Sequence, residues 1–95
     1  MPLFVMSCID KPASAELRAA TRPAHLDYLA ANPGVVRLAG PYMDDAGQPI
    51  GSMFIMEAAD KAVVEAYAAE DPYAKAGLFG HIEIRPWRVV IGSLA

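Results

Sequence analysis

The stretch Leu3-Phe4-Val5-Met6-Ser7-Cys8 is almost wholly apolar and is closed off by Asp10, Lys11 and Pro12. It is too short for a core helix and has helix-breaking flanks, so it reads as a buried strand. A strand covered on one side alternates apolar and polar residues, and this one is apolar at both parities. Met53-Phe54-Ile55-Met56 has the same character. Both faces of the sheet are therefore expected to be covered.

Outward from the first strand, Ser14 is placed to cap a helix that runs to about Ala31, with Glu16 favourable in its first turn. Pro23 interrupts that helix and is expected to kink it or to start a new segment. Asn32-Pro33-Gly34 stops it, and Val35 to Ala39 reads as a second strand ended by Gly40-Pro41. Asp44 to Pro49 is a turn leading to a third strand over Ser52 to Glu57. Asp60 caps a second helix, Lys61 to about Glu70, with Val63, Ala66 and Tyr67 facing the core, and Asp71-Pro72 breaks it. His81 to Ile91 is the last β-rich segment, with Pro86 implying an edge position or a bulge.

The order βαββαβ predicts an α+β fold, a ferredoxin-like sandwich in a single domain over residues 1–95, with both helices on one face of a four-stranded antiparallel sheet. The helices cover one face only. A second copy related by a two-fold axis is the simplest cover for the other, which predicts a homodimer, a dimeric α+β barrel.

Composition sets the remaining bounds. Hydrophobic residues make up 55% of the 95, against 20% charged, which excludes a disordered chain. The net charge of -3, without a basic stripe, argues against nucleic acid as a partner. No apolar run is long enough to span a bilayer, no secretory leader is apparent, and a lone cysteine suits a reducing compartment, so a soluble cytoplasmic protein is expected. The sequence holds no P-loop, GxGxxG, CxxC or HExxH, and its two histidines give no basis for a metal site or a bound cofactor.

Candidates for chemistry are then few. In Arg22-Pro23-Ala24-His25, helical phase puts Leu17, Ala20, Ala24 and Tyr28 on one stripe and His25 beside it, at the core boundary. Such a histidine is either satisfied by a backbone carbonyl or presented for proton transfer. Asp71, past the end of the second helix, is either a turn residue or a carboxylate that meets His25 across two helices packed side by side. A carboxylate on one ring nitrogen fixes the tautomer and leaves the other free as a general base or acid. Tyr73 and Ser52 are hydroxyl donors for the same cleft, or ordinary residues of element boundaries. His81 reads as structural or exposed, Cys8 as a small core residue, and Trp87 as a packed ring between snorkelling arginines.

Arg22-Pro23-Ala24-His25, the strand end Ala39-Gly40-Pro41-Tyr42, Gly51-Ser52, Glu70-Asp71-Pro72-Tyr73 and Ile84-Arg85-Pro86-Trp87 together resemble the YciI-like (YCII-related) family. The resemblance implies a ferredoxin-like dimeric fold and an active site built on a His and Asp pair, which by motif match are His25 and Asp71. It further implies that Gly40, Pro41, Ser52 and Tyr73 line the cleft. One activity in the family, dehydrochlorination of a chlorinated hydroxyquinol, uses proton transfer and no cofactor. The expected function is a cofactor-independent enzyme moving a proton on a small cyclic or aromatic substrate, by elimination, dehydrochlorination or isomerisation. The alternative is a non-catalytic module that binds a metabolite or assists another enzyme.

Overall fold

The computed structural model describes residues 1–94. Strand β1 (Leu3–Asp10) leads into helix α1 (Ala15–Ala31), strands β2 (Val36–Met43) and β3 (Pro49–Glu57) form a hairpin, and helices α2 (Lys61–Glu70) and α3 (Pro72–Lys75) precede strand β4 (Phe79–Trp87). The sheet order is β2-β3-β1-β4, with every pair antiparallel. This is the ferredoxin-like α+β arrangement, with β1 and β3 central because they carry the most apolar residues. Among the described residues, no helix is long and apolar enough to cross a membrane.

The two parities of β1 separate cleanly. Phe4, Met6 and Cys8 are buried beneath the helices, whereas Leu3, Val5 and Ser7 on the other face are half-buried. Their partners in β3 divide likewise: Met56, Phe54 and Ser52 oppose Phe4, Met6 and Cys8. The core consists of these side chains with Ala58, Val64, Tyr67 and Ala68. On the open face, Ser7 and Tyr42 share a hydrogen bond of 2.7 Å, while Leu38 is 56% and Trp87 41% exposed.

Several local expectations change. Helix α1 is continuous through Pro23, whose ring lies on the exposed side, so losing one backbone bond does not split it. Ser14 occupies the cap position, yet its hydroxyl turns back to the Pro12 carbonyl and caps nothing. Strand β2 runs through Gly40-Pro41 to Met43, because an edge strand tolerates a proline whose missing N–H faces outward. Strand β3 begins at Pro49 and β4 stops at Trp87, with Pro86 on an edge strand. In α2 the buried residues are Val64, Tyr67 and Ala68, with Val63 turned to solvent. Trp87 is not a packed ring within the chain.

The larger correction concerns α1. Its inward stripe is Arg18, Thr21, His25, Tyr28 and Leu29, while Leu17 and Leu26 are 38% and 43% exposed. An apolar-phase argument fails because this helix directs charge, not hydrocarbon, towards the sheet. Arg18 and His25 are its buried residues.

Candidate active site

The polar stripe of α1 faces a pocket of about 360 Å³, walled on the other side by the β2–β3 hairpin. Arg18, Arg22 and His25 stand at i, i+4 and i+7, one above the other on the helix. Ala39, Gly40 and Pro41 from β2 and Ser52 and Phe54 from β3 complete the floor and far wall, with Leu26 and Leu29 beside His25.

Asp71 has two structural duties. It closes α2 and caps α3, its Oδ1 accepting the Tyr73 N–H at 2.9 Å. The same oxygen lies 2.8 Å from His25 Nδ1, with Oδ2 at 3.0 Å. Both side chains are buried, Asp71 at 1% and His25 at 7% exposed. An ionised carboxylate only accepts, so Nδ1 carries a proton, and in its neutral form the imidazole keeps Nε2 as its basic nitrogen. No group among the described residues hydrogen-bonds Nε2.

Tyr73 follows directly from the α3 cap and stacks on the imidazole at 3.9 Å between centroids, 18° from parallel; Phe54 meets the imidazole edge-on at 6.0 Å. The ring orientation of His25 is thus held by a carboxylate and two aromatic rings, one stacked and one edge-on. Burial pushes the Tyr73 phenol up, against the lowering effect of Arg18 and Arg22, so the hydroxyl stays a donor at neutral pH. It has no hydrogen-bond partner among the described residues.

Arg18 was not singled out from the sequence, and it is the most firmly held group in the pocket. Its Nη1 reaches both oxygens of Asp10, at 3.0 and 2.9 Å, and its Nη2 donates to Ser52 Oγ at 2.8 Å. The guanidinium lies 4.9 Å over the Tyr73 ring, giving a layered stack Arg18–Tyr73–His25. The signal that would have found it is the i, i+4, i+7 spacing of Arg18, Arg22 and His25, three nitrogen-bearing side chains on one face of the helix. Asp10, at the end of β1, is recognisable only once the strand and helix are seen together.

The structure brings the expected residues together: Ser52, Tyr73, Gly40 and Pro41 line the pocket with His25, and Asp71 stands behind the imidazole. His81 is exposed on β4 and takes no part. Among the described residues no group of three or more His, Cys, Asp or Glu is arranged to hold a metal ion.

Cys8 adjoins the site without belonging to its chemistry. Burial, and then the negative charges of Asp71 and Asp10, push its thiol from 9.0 to about 12. Native protein at pH 8 is expected to resist thiol reagents and to react fully once unfolded; rapid labelling of the native fold would contradict the burial. A thiol that binds its proton more tightly when folded contributes fully below pH 9.0, and that contribution is lost as pH rises towards about 12.

Comparison with known proteins gives the arrangement its relatives. Residues 2–88 match the YCII-related domain. Protein YciI of Escherichia coli O6:H1 is 34% identical, over 93% of this chain and 98% of its own length. Among solved structures, the 5-chloro-2-hydroxyhydroquinone dehydrochlorinase TftG from Burkholderia phenoliruptrix AC1100, in complex with 2,5-dihydroxybenzoquinone, superposes with a TM-score of 0.82 at 33% identity, covering 90% of this chain and 93% of its own. A NIPSNAP domain protein from Burkholderia xenovorans shares the fold alone, with a TM-score of 0.54 at 16% identity over 95% of each chain. With the match spanning nearly every element that builds the pocket, this chain belongs to the YCII-related domain family.

Proposed function

We propose that this protein is a cofactor-independent enzyme in which His25, oriented by Asp71, moves a proton on a small cyclic or aromatic substrate. The observation that carries the reading is the His25–Asp71 hydrogen bond at Nδ1, which leaves Nε2 of a pocket-lining histidine without a partner. A base in this setting typically contributes about 10²- to 10⁴-fold.

Dehydrochlorination of a chlorinated hydroquinone is the reaction to test first, because a structural relative with 33% identity is named for it. Loss of HCl conserves electrons: a proton goes to the base, chloride leaves with the C–Cl bonding pair, and the pair from the broken bond to hydrogen forms the new double bond. His25 Nε2 takes the proton, and the charge that develops on the imidazolium is met by Asp71. The Tyr73 hydroxyl and the Arg18 guanidinium supply donors for oxygen substituents on the ring. Chloride release from chlorinated hydroquinones, followed with an ion-selective electrode, tests the reading. Release above the uncatalysed rate is expected, and none across the series would refute it.

We further propose that two copies pack their open sheet faces together as a homodimer. Leu3, Val5, Ile9, Leu38, Met53 and Trp87 lie on that face, opposite the helices, and Leu38, Ile9 and Trp87 are 56%, 43% and 41% exposed. An apolar patch centred on β1, β2 and β3, bordered by Glu83 and Arg85 of β4, favours a copy of itself. Sedimentation is expected to give twice the chain mass of 10.1 kDa, and Leu38→Glu to give that mass itself. A wild-type monomer would exclude the dimer.

A further inference from the structure

We infer that the pocket takes its ligand as a small organic monoanion, whose negative oxygen is met by Arg22 while its ring lies against Leu26, Leu29 and Phe54. The inference rests on the reading that this pocket is where the substrate binds, and adds the substrate's charge to it.

The charge around the pocket is lopsided. Arg18, Arg22 and His25 line it, and no Asp or Glu does. Asp10 stands behind Arg18 and pairs with it, and Asp71 stands behind His25 with its oxygens on the His25 Nδ1 and Tyr73 N–H groups rather than on Arg22. Arg22 has no such partner: of the two arginines that line the pocket, it is the one that makes no ion pair among the described residues. Two guanidiniums four residues apart on a helix repel one another. Asp10 relieves that repulsion at Arg18 only, and leaves one cation without an ion-pair partner at the exposed side of the pocket.

The hydrogen-bonding groups agree with the charge. Arg18 Nη1 and Nη2 are occupied by Asp10 and Ser52, but its Nε–H meets no acceptor among the described residues, and neither does the Tyr73 hydroxyl. Both residues line the pocket. Donors without acceptors, next to an unpaired cation and apolar walls, suit an anionic oxygen on a flat hydrocarbon body. A cavity of about 360 Å³ admits one ring of that kind.

Benzoate and benzamide have nearly the same shape and differ in charge at neutral pH, so calorimetric titration of the whole chain with each isolates the effect. Benzoate is expected to bind about tenfold tighter than benzamide, as a charge-assisted contact provides. Arg22→Gln should bring the two within about twofold without weakening benzamide, and Arg22→Lys should keep most of the preference. Arg22 is exposed, so neither variant threatens the fold, and unchanged melting is the control. Equal affinities in the wild type, binding of neither compound, or a preference that survives Arg22→Gln would each overturn the inference. Because binding is read without turnover, a benzoate preference in a protein that releases no chloride removes the reaction and keeps the anion site. Chloride release without any preference does the reverse.

Discussion

Asp71→Asn is expected to lower kcat for a chlorinated hydroquinone by about 10²- to 10⁴-fold while leaving the fold in place. The asparagine oxygen can still accept the Tyr73 N–H that caps α3, the bond that Asp71 Oδ1 makes at 2.9 Å. Its amide nitrogen then donates to His25 Nδ1. That reverses the tautomer: the ring proton moves to Nε2, which can no longer accept one from substrate. The loss should appear in kcat rather than in KM, since the pocket walls are untouched. His25→Asn makes the complementary test, because its amide can keep a hydrogen bond to Asp71 while no atom replaces Nε2. His25→Ala is a poorer probe: it strands a carboxylate that is 1% exposed and removes the ring on which Tyr73 stacks. Both asparagine variants should melt near the wild type. If either retains a rate within about threefold of wild type, the pair is structural and not a proton relay.

Arg18→Met is expected to destabilise the fold by about 3–5 kcal/mol, because it leaves a buried carboxylate without its cation. The side chains of Arg18 and Asp10 are only 10% and 7% exposed, and the ion pair at 2.9 Å is supplemented by the bond to Ser52. For a domain of this size the loss corresponds to a Tm lower by roughly 4–8 °C for each kcal/mol. The decisive comparison is the double variant Arg18→Met with Asp10→Leu. Replacing the whole pair by hydrocarbon of similar volume is often neutral, so the double variant should recover most of the single variant's loss in urea unfolding. A single-variant loss below about 1 kcal/mol, or a double variant no better than the single, would show that solvent reaches the pair and screens it.

These expectations bear on why a charged group should be buried in so small a protein. Arg18 and Asp10 together occupy positions where a hydrocarbon pair would stabilise about as well, and the helix gives its inward stripe to Arg18 and His25 instead. The apolar work of the core is left to β1, β3 and α2, whose Phe4, Met6, Phe54, Met56 and Val64 are nearly all inaccessible. A division of this kind, with one helix for the site and one for the core, lets the pocket be polar while the Arg18, Asp10, Ser52, His25 and Asp71 side chains each keep a hydrogen-bond partner.

The fold was legible in the sequence because its signals are local. The apolar strands Leu3 to Cys8 and Met53 to Met56, the Asn32-Pro33-Gly34 stop and the Asp60 cap each act through neighbours a few residues away, and their order leaves one familiar topology. Asp60 does accept from Val63 N at 3.1 Å. The places where reading failed are those where distant residues decide: the inward phase of α1, the continuity of that helix through Pro23, and the extension of β2 past Gly40-Pro41. Hydrophobic phase assumes that the inward face is apolar, and a face that lines a polar pocket breaks that assumption.

For the site, residue types and spacing brought His25 and Asp71 forward, but two residues 46 positions apart can be joined only by the packing of α1 against α3. The sequence by itself determined the element order, the apolar strands and the identity of the groups capable of proton transfer, since each follows from short-range backbone preference or from side-chain chemistry. Tertiary structure alone decided that Asp71 meets Nδ1 and leaves Nε2 unpartnered, and that Tyr73 stacks on the imidazole. It alone decided, too, that Asp10 neutralises Arg18 while Arg22 stays unpaired. Distances of a few ångströms between residues remote in the chain set those outcomes, and local sequence does not encode them one residue at a time.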